Sequence, residues 1–335
     1  MCTALTFSVN GETYYGRNLD LNCGFGEDVV ITPRNYTFNF TDGSSSPTHY
    51  CMIGMATVVN NYPLYAEASN EKGLSIAGLN FPDNAHYFEP HHEKTNVSPY
   101  ELIPWVLSRY ASVDELKVVL PNLNLTHIAF AQNMPLAPLH WMVSDSQKSI
   151  VIESTTEGLK FYDNPFGVLT NNPPFPYHLE NIKNYINLTP EWPANNVAPE
   201  QPLNPVGVGF GGFGLPGDSS PASRFVKAVF LRSSTLNHLK ILQETAENQQ
   251  ETVAVSQFFH ILDNVGMVKG SCFNEQRECE YTVYSSCCNT SRGIYYYKTY
   301  DNSCINAIEM SSCDTNGKEL IQYPLVRHQT IHYAN

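Results

Sequence analysis

Residues 3–9 and 13–18 are rich in β-branched and aromatic side chains, and Asn10-Gly11 stands between them. Asn-Gly accepts the positive φ that a two-residue hairpin turn needs at both central positions, so this segment predicts a β-hairpin. With Val9 opposite Glu12, the register continues to Ala4 opposite Arg17 and Cys2 opposite Leu19. Arg17 to Asp20 are therefore expected beside the start of the chain. A one-residue slip would change the faces but not that closeness.

The same patterning predicts strands at 28–33, 75–79, 139–144, 149–153 and 293–300. Ser98-Pro99-Tyr100-Glu101 reads as a capping box with Pro at the first helical position, opening a helix over 102–110. Ser112-Val113-Asp114-Glu115 reads as a second box, leading into 116–120. Pro221 opens a third helix through Phe225 and Phe230, and a fourth is placed near 253–265. Strands arrive in hairpin-like runs and helices in groups, which predicts an α+β class rather than a parallel α/β sheet. The Pro/Asn-rich stretch 190–205 predicts an irregular loop. No repeat or linker divides the chain, so a single domain over 2–335 is expected once Met1 is removed.

Composition narrows the classes. A chain of 335 residues with 42% hydrophobic side chains has enough material for a sizeable core. A formal net charge of −13 with no Lys/Arg run disfavours nucleic acid as a partner. No stretch approaches the roughly 20 apolar residues of a membrane span. The N-terminus lacks the basic and apolar regions of a signal peptide, which predicts a cytoplasmic protein. Six of the nine cysteines (Cys272, Cys279, Cys287, Cys288, Cys304, Cys313) lie in one C-terminal stretch. Disulfides there would require an oxidising compartment, so a secreted or lumenal location stays open on this ground. No C-x-x-C or H-E-x-x-H occurs, and neither a metal nor a cofactor is expected.

Cys2 is the first candidate for chemistry. Met1 before a small residue favours its enzymatic removal, which would leave Cys2 with a free α-amine. An α-amine has an unperturbed pKa of about 7.7–8 and can serve as general base for the thiol of its own residue. Arg17, brought near by the hairpin, would favour the thiolate, and Asp20 would orient the amine. On residues alone, Arg17 and Asp20 read equally well as a surface ion pair.

Further blocks carry a resemblance. Gly16-Arg17-Asn18-Leu19-Asp20 follows Met1-Cys2-Thr3. After it come Asn70-Glu71-Lys72-Gly73-Leu74, Ala77-Gly78-Leu79-Asn80-Phe81-Pro82, Leu139-His140-Trp141-Met142 and Gly167 to Pro173. Gly214-Leu215-Pro216-Gly217-Asp218, Pro221-Ala222-Ser223-Arg224-Phe225, 258–262 and 293–297 complete the series. In this order the blocks resemble the choloylglycine hydrolase family, which contains bile salt hydrolases and penicillin V acylases. The resemblance implies a four-layer αββα sandwich of the N-terminal-nucleophile type and a homotetramer. It implies amide hydrolysis through a Cys2 thioester, with Arg17, Asp20 and Arg224 supporting Cys2 and with Asn80 and Asn171 donating to the oxyanion. Asparagine at position 80, where penicillin V acylases tend to carry tyrosine, leans toward glycine- or taurine-conjugated bile salts. Penicillin V or another N-acyl amide is the alternative substrate, and a non-catalytic binding protein on the same scaffold is the alternative class. The sterol pocket implied by similar proteins would use Leu19, Phe25, Val59, Phe130, Met134 and Leu139.

Gly207 to Gly212 matches G-x-G-x-x-G, but Pro202 and Pro205 precede it and Pro216 follows, which excludes the strand–helix junction a dinucleotide needs. It reads instead as a Gly-rich loop near the active site.

Overall fold

The computed structural model describes residues 1–238 and 249–335. Fourteen strands in chain order, joined by the short strand Cys272–Phe273, build its two large antiparallel sheets. They are β1 (Cys2–Val9), β2 (Glu12–Leu21), β3 (Asp28–Thr32), β4 (Met52–Val59), β5 (Tyr62–Asn70), β6 (Ser75–Asn80) and β7 (Leu139–Ser144). The rest are β8 (Ser149–Thr155), β9 (Gly158–Asp163), β10 (Val168–Leu169), β11 (Cys279–Asn289), β12 (Ile294–Thr299), β13 (Asn302–Glu309) and β14 (Ile321–Pro324). The first sheet runs β10-β1-β2-β11-β12-β13, with the short strand Cys272–Phe273 added to β11, and the second runs β9-β8-β7-β6-β5-β4-β3-β14.

The helices are α1 (Leu102–Arg109), α2 (Val113–Val119), α3 (Phe175–Asn181), α4 (Pro221–Asn237) and α5 (Gln250–Asp263). α4 packs on β1 and α5 on β2 and β11, while α1 packs on β5 and β6. The order is helix, sheet, sheet, helix, the expected αββα sandwich. Strand side chains alternate between its layers. Val29, Ile31, Met142 and Val151 join the cluster that spans the two sheets and α4/α5, while Val30, Trp141, Val143, Ile150 and Ile152 join the cluster under α1. Both faces of the second sheet are thus buried, which is why these strands read as continuous apolar runs. No helix among the described residues is long and apolar enough to cross a membrane.

The N-terminal hairpin forms in the expected register, with Val9 opposite Glu12, Ala4 opposite Arg17 and Cys2 opposite Leu19. Asn10 and Gly11 take φ of 53° and 79° at its turn. A second hairpin, β4–β5, turns on Asn60-Asn61 at φ of 51° and 60°. Asn tolerates the left-handed region, so the Asn-Asn pair is itself a turn signal in the sequence. The box at Ser98 forms in part as expected, with Ser98 N donating to Glu101 Oε2 at 3.2 Å. The one at Ser112 differs. Ser112 Oγ accepts from Glu115 N at 3.3 Å, but Glu115 reaches back to Ala111 N at 2.7 Å, one residue beyond the reciprocal position.

Gly16 permits the close pairing of β2 with β11, because a Cβ there would sit 2.0 Å from the Ser286 carbonyl oxygen. Gly16→Ala is therefore expected to lower unfolding free energy by about 3 kcal/mol in urea denaturation, since backbone rather than a flexible side chain must move.

The cysteine cluster, whose state the sequence leaves open, carries no disulfide here: all nine cysteines are free. Cys287 and Cys288 are sequence neighbours on β11, so their side chains point to opposite faces, and both are buried. Burial pushes the Cys51 and Cys288 thiols up to about 12 and raises that of Cys287 as well. Iodoacetamide at pH 8 should therefore modify the exposed Cys23 and Cys304 in the folded protein. Cys51, Cys287 and Cys288 should react only after urea is added, as read by peptide mass mapping.

Candidate active site

β1 and β2 set the geometry of the candidate site. Cys2, buried at the first position of β1, lies opposite Leu19. Arg17 points into the layer between the sheets and donates through Nη1 to the Gly78 carbonyl of β6 at 2.5 Å. Its Nη2 donates to Cys2 Sγ. Asn18 and Asp20, on the opposite face of β2, point toward the helices; Asn18 Nδ2 donates to the Leu262 carbonyl of α5 at 2.8 Å.

Asp20 is fully buried. Its Oδ1 accepts from Thr282 Oγ1 at 2.6 Å, and its Oδ2 has no partner among the described residues. Burial raises the Asp20 pKa, with Arg224, Thr282, the terminal ammonium and Arg17 acting in the other direction. Burial opposes the Arg17 charge, but Cys2, Tyr284, Glu67 and Asp20 around it hold its proton above the usual arginine range.

The other side of Cys2 is built by α4 and by the segment after β10. Ser220 caps α4, and Asp218 fixes the entry by accepting from Ser220 N at 2.9 Å and Ser223 Oγ at 2.6 Å. Hydrogen bonding from the Ser220 and Ser223 side chains, with the Ser220 N–H, holds the Asp218 pKa at about 2. The first turn of the helix then carries buried Arg224 to the nucleophile strand. Arg224 donates to the Cys2 carbonyl, to Thr3 Oγ1 at 2.6 Å and to Asn171 Oδ1 at 2.7 Å. Burial without full compensation lowers its pKa.

Asn171 is the hub. Its Oδ1 also accepts from Cys2 N at 2.8 Å, and its Nδ2 donates to the Asn80 carbonyl at 2.7 Å. The Asn171 carbonyl in turn faces His178 Nε2 at 3.0 Å, and the Thr170 carbonyl faces His140 Nε2 at 3.0 Å. Asn80 is half-buried and meets the site through its backbone carbonyl on Asn171, while its side-chain amide has no hydrogen bond among the described residues.

Met1 occupies the approach. Its ammonium contacts the Asp20 carbonyl and, at 3.0 Å, Glu280 Oε2, and its carbonyl accepts from Asp20 N at 2.9 Å. While Met1 is attached, the Cys2 nitrogen is a peptide nitrogen with no basicity. Loss of Met1 would leave a free Cys2 amine against Asn171 Oδ1, on the same residue as the thiol.

All six expected site residues converge here. The expected pocket residues separate into two groups. Leu19 faces Cys2 across the hairpin, and Leu139 faces Asn80 across β6–β7. Phe25, 63% exposed, is tied through its carbonyl to Thr57 Oγ1, two residues before Val59 on β4. Val59 pairs with Tyr62, whose ring lies 5.6 Å from that of Phe130. Met134 bridges to Ala131 just beyond. A polar cavity of about 410 Å³, lined by Thr6, Lys117, Lys148, Asn164 and Arg232, lies toward the other end of β1 and is not lined by Cys2.

The Gly-rich run 207–212 contains one 3-10 turn, Phe210–Gly212, with no strand before it. Its described bonds run to Thr189 and within the loop rather than to Cys2. Thr282, Asp218 and Glu67 were missed in the sequence. Asp218 belongs to the Gly214–Asp218 sequence block, whereas Thr282 and Glu67 carry no local signal.

A family model described as linear amide C-N hydrolases, choloylglycine hydrolase family, matches residues 2–323. A bile salt hydrolase/transferase of Lactiplantibacillus plantarum is 48% identical over 334 residues, covering 100% of this chain and 99% of that one. A protein of the same description from Clostridium perfringens is 39% identical over 339 residues, covering 100% of each. Among solved structures, a mutant of the conjugated bile acid hydrolase from Clostridium perfringens superposes with a TM-score of 0.91 at 38% identity, covering 100% of both chains. A penicillin V acylase from Agrobacterium tumefaciens shares the fold, with a TM-score of 0.75 at 19% identity over 99% of this chain and 94% of that one.

Proposed function

This chain belongs to the choloylglycine hydrolase family of linear amide C-N hydrolases, and from that premise we propose that it cleaves the amide bond of glycine- or taurine-conjugated bile salts. The observation that carries the reading is the convergence of Arg17, Asn171 and Arg224 on Cys2.

In the proposed reaction, removal of Met1 frees the Cys2 amine, which takes the thiol proton. Arg17 stabilises the thiolate, and Asp20 and Asn171 Oδ1 orient the ammonium. The thiolate attacks the amide carbonyl carbon, and the oxyanion is received by the free Asn80 amide and the remaining Nδ2 hydrogen of Asn171. The ammonium returns its proton to the leaving nitrogen as the C–N bond breaks, leaving a thioester. The neutral amine then takes a proton from water as it attacks the thioester, and the thiolate is released and reprotonated. No cofactor is needed. The exposed Phe25 and the half-exposed Val59, Phe130 and Met134 offer an apolar wall for a sterol, and Leu19 and Leu139 offer apolar contacts at the scissile end.

Amine release from taurocholate, glycocholate and penicillin V tests the substrate. Release from the bile salts well above penicillin V is expected, and equal or greater turnover of penicillin V would overturn the substrate assignment. Activity should also scale with the fraction of chains lacking Met1 in the intact-mass spectrum, because only those carry the amine. A homotetramer, implied by the family, is checked by light scattering on the purified enzyme.

A further inference from the structure

Arg17 crosses into the layer between the sheets, and a charge there requires compensation. One carboxylate supplies it. Glu67 on β5 is 2% exposed, and its Oε2 lies 3.9 Å from Arg17 Nη1. A β-bulge brings it there. Met55 pairs with Glu67 but Ala56 pairs with Tyr65, so Ala66 is the extra residue of β5. Its carbonyl turns to Arg17 Nη1 at 3.4 Å, and the next side chain, Glu67, faces the same guanidinium. Bulges commonly re-aim side chains beside active sites.

Glu67 is itself held from the first sheet. Tyr284 Oη of β11 donates to Oε2 at 2.8 Å, and Tyr295 Oη of β12 donates to Oε1 at 2.6 Å. Burial raises the Glu67 pKa, while Arg17 and the hydroxyls of Tyr295, Tyr284 and Ser286 act in the other direction and favour the charged carboxylate. The titratable groups facing Glu67 are Arg17 and Tyr15 on β2, with Tyr284 and Tyr295. Burial raises the pKa of all three tyrosines and so keeps them neutral. Those facing Cys2 from other elements are Arg17 and Asp20 on β2 and Arg224 on α4.

We propose that Glu67 is a positioning residue of the hydrolytic site, which fixes the Arg17 guanidinium against Cys2 Sγ and offsets part of its charge. The offset sets how strongly Arg17 favours the thiolate. With no counter-charge the thiolate forms more readily but is a weaker nucleophile, and Arg17 is free to shift toward the Gly78 and Ala66 carbonyls.

This inference rests on Cys2 being the nucleophile. Glu67→Gln preserves size and removes the charge. In the Met1-free enzyme, the rate of Cys2 alkylation by iodoacetamide is followed against pH on the N-terminal peptide. Its midpoint should move to lower pH by about one unit, and kcat for taurocholate should fall roughly ten- to a hundredfold with KM within about twofold. A purely structural Glu67 would lower thermal stability and leave the alkylation midpoint in place. An unmoved midpoint or an unchanged kcat in the folded variant overturns the proposal. If Glu67→Gln does not fold, the Tyr284→Phe/Tyr295→Phe pair replaces it. That variant should lose about tenfold in kcat at constant KM, and wild-type turnover in it overturns the proposal. The alkylation readout needs no turnover, so failure here is distinguishable from failure of the proposed reaction, which a catalytically active Cys2→Ala variant would reveal.

Discussion

Cys2→Ala is expected to abolish amine release from conjugated bile salts, with kcat falling on the order of 10⁵- to 10⁶-fold, the scale at which loss of a covalent nucleophile is felt. The fold should survive. Cys2 is a small side chain at a strand end, and its backbone bonds run to Asn171 and Arg224, which alanine retains. Alanine also permits removal of the leading methionine, so the α-amine remains and only the sulfur is lost. The loss of packing leaves a cavity smaller than one methylene group or two, costing about 1 kcal/mol. Removal of the one soft anion from a site holding Arg17 and Arg224 is the larger perturbation. Circular dichroism and thermal melting should therefore match wild type within a few degrees while turnover disappears. Residual turnover within a hundredfold of wild type would assign the chemistry to another group.

The second large effect is expected at Asn171. Asn171→Ala removes the acceptor for the Cys2 nitrogen, the acceptor for Arg224 Nη2 and the donor to the Asn80 carbonyl. A roughly 10²- to 10³-fold loss in kcat is expected, with a much smaller change in KM, because an oxyanion contact strengthens only in the transition state. Asn171→Asp separates the two roles. It keeps the oxygen that Arg224 and the Cys2 amine share but turns the donor into a second acceptor facing the Asn80 carbonyl. If donation to the oxyanion is the larger part, Asp should be as slow as Ala. If holding the amine is the larger part, Asp should recover most of the rate. Steady-state kinetics on taurocholate distinguish these outcomes, and a KM increase that accounts for the whole loss in kcat/KM in both variants would remove Asn171 from the reaction.

The order of these effects follows from what each group does. The thiol forms and breaks the covalent bond, so nothing nearby replaces it. Asn171 stabilises and orients, so part of its work persists in Asn80 and Arg224. Glu67 acts one step further away, through Arg17.

Local chemistry determined a good part of this protein. Asn10-Gly11 set a turn with positive φ at both positions, and the turn fixed the register that puts Arg17 diagonally across from Cys2 on the adjacent strand and Leu19 opposite it. Pro221 and its neighbours announced the start of α4, and the alternation of β-branched residues announced most strands. The functional assignments of Asn80, Asn171 and Arg224 came from family resemblance, since each taken alone reads as a turn, a strand end or an exposed helix residue. What the tertiary structure alone decided is which distant strands pair within a sheet and how the two sheets stack. Thr282 meets Asp20 across 262 residues, and Tyr284 and Tyr295 meet Glu67 across 217 and 228. Pairing at such separations is chosen by burial of whole faces and leaves no mark in local propensity or spacing. The bulge at Ala66 is equally silent in sequence, because an extra residue is defined only against the partner strand. The same is true of charge. Arg17 next to Asp20 on one strand suggests a pair, yet strand alternation sends the two to opposite faces. Arg17 meets its carboxylate in Glu67 on the other sheet, while Asp20 is held by Thr282 and its second oxygen has no partner among the described residues.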